Sequence, residues 1–368
     1  MNSKKIVNFM QEFTTRYLFR MLHISNFVVG ILLFISSVHA QVMDTALYEK
    51  YKLAQNTFDR FEKEHRGTVQ GANHRISYLR WGSNTDKVFV WLPGSLLSAY
   101  DFYPFAESLV KAGYCVLSVD HYGHGLTTIP DRDLDFWDFA DDLAAVMDKL
   151  QIKNAVVGGF SRGGYLATAF YDKYPDRVNA LVLEDGGSVP FKSLFKQMDA
   201  AQINTFFESL EPPVEVQKLL FDVYRSDFEI YKNIDQIDGS AQQWQIFGSI
   251  KHKDNNSFLY HGLNAYMNMQ DSTHYTQVLN KPSEISRYAS SIVRINPIAT
   301  YRSLRVPILL IDAIGENDSF DAQEGNRRLK SLHPDLVQHQ LFDCADHNVH
   351  FSCPEDFLKV LKDFLIRL

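Results

Sequence analysis

Residues 154–170 read NAVVGGFSRGGYLATAF. A short apolar run leads into a glycine pair, Ser161 stands between Phe160 and Arg162, a second glycine pair follows, and the rest is an Ala-rich stretch suited to a helix. Gly159-Phe160-Ser161-Arg162-Gly163 thus fits G-x-S-x-G at the point where a strand-like run becomes a helix-like one. A serine in such a turn takes a strained backbone conformation, and its neighbours two positions away must be small to avoid collision.

Outward from this stretch, strand-like and amphipathic segments alternate. RISYLRWG (75–82), KVFVWLPG (87–94), YCVLSVD (114–120) and NALVLED (179–185) read as strands, and 99–113, 135–151 and 162–175 carry helical spacing. Continuous apolar runs such as YCVLSV suit strands covered on both faces. Alternation of this length predicts a parallel sheet flanked by helices. It stops near residue 188, where helical patterns with no clear strand continue to 299, and resumes with VPILLIDAIG (306–315), LVQHQLFD (336–343) and a helix at the end of the sequence. The expected fold class is therefore α/β, with a helical insertion at 188–299 between two core segments, 41–187 and 300–368. Residues 41–65 are expected to add a helix before the first strand.

Of the 368 residues, 45% are hydrophobic and 22% charged, as in globular proteins, and the net charge is −7. There is no long basic run, so neither nucleic acid nor an anionic membrane is expected as a partner. Lys4, Lys5, Arg16 and Arg20 precede the apolar run 27–38, and small residues end at Ala40. This pattern predicts a secretory signal peptide over 1–40, with secretion or a periplasmic location; a retained N-terminal membrane anchor is the alternative. Without residues 1–40, 33 basic and 43 acidic residues remain, a net charge of −10. In an oxidising compartment Cys344 and Cys353 could pair, leaving Cys115 a buried thiol; three unpaired cysteines is the competing reading.

The motif and its setting resemble the α/β-hydrolase family over about residues 70–368. The resemblance implies a mostly parallel central sheet flanked by helices, with a helical cap inserted after the sixth strand. It also implies a Ser, acid, His order with each partner on a loop after a strand. IDAIGENDSF (311–320) is similar to the family's acid turn and puts the acid at Asp318; Asp185, at the end of the strand before the insertion, is the rival, and Glu316 and Asp321 read as solvated. DCADHNVHFSCPEDF (343–357) is similar to the family's histidine loop and puts the base at His347, with His350 as the alternative; Asp346 stands where the family usually has glycine. His121 and His124 read as structural or pocket-lining.

The resemblance further implies an oxyanion hole from the backbone N–H of Arg162 and that of Ser95 or Leu96, in a loop with Pro93 where the family often has histidine. The Arg162 side chain reads as a structural ion-pair partner. No metal and no organic cofactor are implied. VWLPGSLLSAYDFYPFAESLVKAGYCVLSVDHYGHG (90–125) looks most like the lysophospholipase, monoacylglycerol lipase and aminopeptidase branch. A carboxylic-ester hydrolase acting on a small apolar acyl or aromatic ester is the expectation. A serine aminopeptidase, a C–C bond hydrolase and a non-catalytic binding protein stay open. Asn255 and Asn317 fit N-x-[ST]; beside the expected acid, Asn317 is expected to stay unmodified.

Overall fold

The computed structural model describes residues 45–83, 87–209, 211–237, 241–316, 318 and 320–368. The expected signal peptide and Asn317 lie outside them. The chain divides into two units, Met1–Asn56 and Thr57–Leu368. Residues 45–56 of the first are helical, and the second opens with helical residues 57–65.

The second unit is built on an eight-stranded sheet in the order β1-β2-β4-β3-β5-β6-β10-β11. Its strands are β1 Arg66–Gln70, β2 Arg75–Trp81, β3 Val88–Leu92, β4 Cys115–Val119, β5 Ala155–Phe160, β6 Val178–Glu184, β10 Ile308–Ala313 and β11 Val337–Phe342. β2 runs antiparallel to β1 and β4, and every other pairing is parallel. VFVWL, CVLSV, AVVGGF and ILLIDA are buried at every position, so both faces of these strands are covered. β1, RGTVQ, is a polar edge strand that the hydrophobic pattern did not reveal. Helices α1 Tyr103–Lys111, α2 Phe136–Lys149 and α3 Arg162–Lys173 connect the parallel strands. α2 starts cleanly because Asp135 and Asp138 form a reciprocal capping box.

The segment between β6 and β10 holds short helices, among them α4 Ala200–Ser209, α5 Ser272–Asn280 and α6 Arg287–Arg294. It is not free of strands: β7 Val223–Tyr224, β8 Lys251–Lys253 and β9 Asn256–Phe258 form a small antiparallel sheet. Two- and three-residue polar strands leave no periodic trace in sequence. Exposed Asn255 sits at φ 61° in the β8–β9 turn. Phe195, Phe207 and Leu279 form an apolar cluster extended by Phe206, Tyr275 and Phe320. After β10, α7 Gln323–Leu332 leads to β11, and α8 Pro354–Leu365 follows. Among the described residues no helix is long and apolar enough to cross a membrane.

Candidate active site

The loops after β3, β5, β6, β10 and β11 leave the sheet at the carboxyl ends of parallel strands, where open α/β sheets gather their ligands. At the end of β5, Ser161 sits at φ 52° and ψ −118°, and α3 begins at the next residue. Its N–H donates to the Glu184 carbonyl at 2.8 Å, fastening the turn to the end of β6. A Cβ on Gly159 would lie 2.3 Å from the Gly163 carbonyl carbon, and one on Gly163 only 1.9 Å from the Leu92 carbonyl oxygen. Both obstacles are backbone and cannot swing away. The glycines around Ser161 are therefore a packing requirement of strand against helix.

His347, in the loop after β11, places Nε2 3.1 Å from Ser161 Oγ. Its Nδ1 lies 2.5 Å from Oδ2 of Asp185, not of Asp318. This corrects the sequence expectation for the acid. Asp185 directly follows β6, the neighbour of β5, at a φ of 44°, and its side chain meets His347 there. Asp318 lies beyond β10 and uses Oδ1 to accept the Phe320 N–H at 2.9 Å. It stays near enough for its charge to be felt at Asp185 and His347, but no hydrogen bond joins it to either among the described residues. Burial pushes the Asp185 carboxyl up to about 7, against the opposing pull of the His347 bond, and Asp185 Oδ1 has no partner among the described residues. Phe160 and Phe320, with centroids 4.8 and 4.6 Å from the His347 ring, hold the imidazole in place.

His350 does not share the serine. Its Nδ1 lies 2.8 Å from Glu184 Oε2 and its Nε2 2.9 Å from Asp101 Oδ1. Burial alone would push this imidazole down, but the two carboxylates hold it protonated, up to about 10. Asp101 also accepts from Trp91 Nε1 at 3.0 Å, so the network ties β3, β6 and the histidine loop together. Neither Glu184 nor Asp101 stood out in the sequence.

A family model described as alpha/beta hydrolase fold matches residues 87–354. The chain belongs to this family. A curated relative is the 2-hydroxy-6-oxononadienedioate/2-hydroxy-6-oxononatrienedioate hydrolase of Escherichia coli K12/DH10B, 33% identical over 166 residues, 43% of this chain. The chain spans 56% of that relative's length. Among solved structures, a mutant of the meta-cleavage product hydrolase of Pseudomonas fluorescens, complexed with acetates, aligns over 83% of this chain and 98% of its own. Its TM-score is 0.56 and its identity 19%. A structure from a study of Nitrososphaera gargenis carboxylesterases covers 82% of this chain and 98% of its own, at TM-score 0.53 and 16% identity. At such identities the structural likeness concerns the fold.

In this α/β hydrolase the loop after β3 closes through the Leu97 N–H on the Gly94 carbonyl, with Leu96 at φ 62°. The N–H groups of Ser95, Leu96 and Arg162 have no backbone partner among the described residues. The Arg162 side chain departs from the expected ion pair. Its Nε donates to Ser95 Oγ at 2.9 Å, Nη2 lies 3.7 Å from Met269 Sδ, and no carboxylate among the described residues bonds to it. His121 and His124 are fully buried and neutral; burial, reinforced by the Arg162 charge, pushes His121 down to about 3. The Cys344 and Cys353 sulfurs are joined, with Cα atoms 6.3 Å apart, closing the loop that carries both His347 and His350. Cys115 is buried and free.

Proposed function

We propose that this α/β hydrolase is a serine hydrolase cleaving a carboxylic ester through an acyl-enzyme. The alignment Ser161 Oγ, His347, Asp185 carries the reading. His347 Nε2 takes the hydroxyl proton as Ser161 Oγ attacks the acyl carbon, and Asp185 fixes the tautomer with Nδ1–H and stabilises the imidazolium. The Arg162 N–H, with that of Ser95 or Leu96, faces the developing oxyanion. The histidine returns the proton to the departing alcohol. It then deprotonates water, which releases the acid and restores Ser161. A third of the His347 side-chain surface is exposed, so substrate has a route to the pair. Turnover of p-nitrophenyl esters, with fluorophosphonate labelling lost in Ser161→Ala, tests the proposal; absence of both sinks it.

The Escherichia coli relative favours a second reading, hydrolysis of a C–C bond beside a carbonyl by the same serine. Turnover of dienedioate-type diketo acids with no ester turnover would select it.

We also infer that the protein is exported, in keeping with the N-terminal pattern and with the Cys344–Cys353 disulfide, since such bonds persist in oxidising compartments. N-terminal sequencing of protein recovered outside the cytoplasm should start near Gln41; a start that retains 27–40 contradicts cleavage.

A further inference from the structure

Arg162 is 6% exposed and directly follows the proposed nucleophile. A guanidinium taken out of water needs a compensating anion or a full set of acceptors. Among the described residues Arg162 has neither: Nε meets a serine hydroxyl, Nη2 a thioether, and Nη1 no partner. The Phe136 and Tyr288 rings lie 6.0 and 5.8 Å from Cζ. Ring faces offset part of the desolvation but carry no countercharge. The groups that bear electrostatically on Arg162 among the described residues are the phenols of Tyr288, Tyr275 and Tyr266, which burial keeps protonated and uncharged, with no carboxylate among them. Tyr266 stacks on Tyr288 at 4.9 Å, and its buried hydroxyl also has no partner among the described residues. Through Ser95 the guanidinium sits against the loop proposed to stabilise the oxyanion.

We propose that Arg162 Nη1, together with Tyr266 Oη, forms an anion subsite next to Ser161, and that the substrate carries a carboxylate near its scissile carbonyl. The inference rests on Ser161 as the attacking group and narrows its substrate from apolar esters to acidic ones. The planar guanidinium suits a carboxylate held by parallel N–H bonds, and its remoteness from protein carboxylates leaves it free to select for charge.

Two matched pairs of esters test this. p-Nitrophenyl butyrate and p-nitrophenyl hemisuccinate differ at the acyl end; phenyl butyrate and 4-carboxyphenyl butyrate differ in the leaving group. In at least one pair the wild-type protein should favour the anionic member in kcat/KM by about tenfold to a hundredfold. Arg162→Met should bring that ratio close to one, Arg162→Lys should keep part of it, and Tyr266→Phe should lower it a few-fold. A wild-type ratio near one in both pairs overturns the subsite, as does a preference that survives Arg162→Met. Because each ratio is internal to one protein, a general loss of activity does not affect it. Monoethyl succinate and ethyl butyrate, titrated into Ser161→Ala, read binding without chemistry. Arg162-dependent binding of the acid with no ester turnover by the wild type would refute ester cleavage and leave the subsite standing. Turnover of neutral esters without charge preference would do the reverse.

Discussion

His347 and His350 stand three residues apart, His350 in the short helix Val349–Ser352, and their respective partners Asp185 and Glu184 are adjacent at the end of β6. The same chemistry, imidazole against carboxylate, is used there in two ways. At His347 one carboxylate occupies Nδ1, and Nε2 is left to exchange a proton with Ser161. At His350 a carboxylate faces each nitrogen, the side chain is only 3% exposed, and the ring is locked in its charged form. An imidazolium with both N–H groups engaged has no lone pair to offer. The histidine proposed as base is the one with a nitrogen left without a carboxylate.

The largest effect that separates the two is on turnover. His347→Ala should match Ser161→Ala, lowering kcat for an ester by at least about 10⁴-fold, because residues that act as a unit fail together. His350→Ala should retain far more activity per folded molecule, measured by active-site titration. Lethality of His350→Ala in well-folded protein, with a mild His347→Ala, would reverse the assignment.

The two acids come next. Asp185→Asn should lower kcat by about 10³- to 10⁴-fold by favouring the wrong histidine tautomer. Asp318→Asn acts only through its charge at a distance and should stay within about tenfold. Equal losses would mean that both carboxylates serve His347.

The third contrast is in stability. His350→Gln leaves Glu184 and Asp101 buried without their cation, a change that costs about 3–5 kcal/mol in comparable sites. The folded His350 titrates near 10, above its ordinary 6.5. A raised value means that its contribution is fully present below about 6.5 and is lost as pH rises through about 10. Urea unfolding at pH 6, 8 and 10 should show wild type and His350→Gln converging toward the alkaline end. A gap independent of pH would remove the imidazolium from the account.

The same contrast explains what could be read from the chain. Strands buried on both faces announce themselves by composition, as VFVWL and ILLIDA do. Ser161 follows from a local motif, since the glycine spacing reflects backbone clashes that any such turn must avoid, and His347 from the resemblance of its loop to the family's. The choice between Asp185 and Asp318 rests on which carboxylate reaches His347 across the sheet, a long-range contact that no motif encodes. The Glu184–His350–Asp101 network joins residues as far as 249 positions apart, beyond the reach of any local pattern. The Arg162 side chain reads from sequence as a structural ion-pair partner, and its surroundings supply rings and a thioether instead.

The smallest predicted effect concerns the second anchor of the histidine loop. The Cys344–Cys353 bond and the His350 network both restrain residues 344–353, one by covalent closure and one by charge. A cross-link between residues nine apart withdraws little freedom from the unfolded chain, about 2–3 kcal/mol on the chain-entropy account. The double variant Cys344→Ser, Cys353→Ser should therefore lose about that much stability by urea unfolding. Its kcat should stay within a few-fold, because Glu184 and Asp101 still hold His350 while Asp185 and the two phenylalanine rings still hold His347. Two restraints on one short loop should also be coupled. With His350→Gln already in place, the loop depends on its cross-link, and reduction should then depress kcat well beyond the loss seen in the wild-type background. Additive losses in kcat would mean that the disulfide and the charged network support the loop independently.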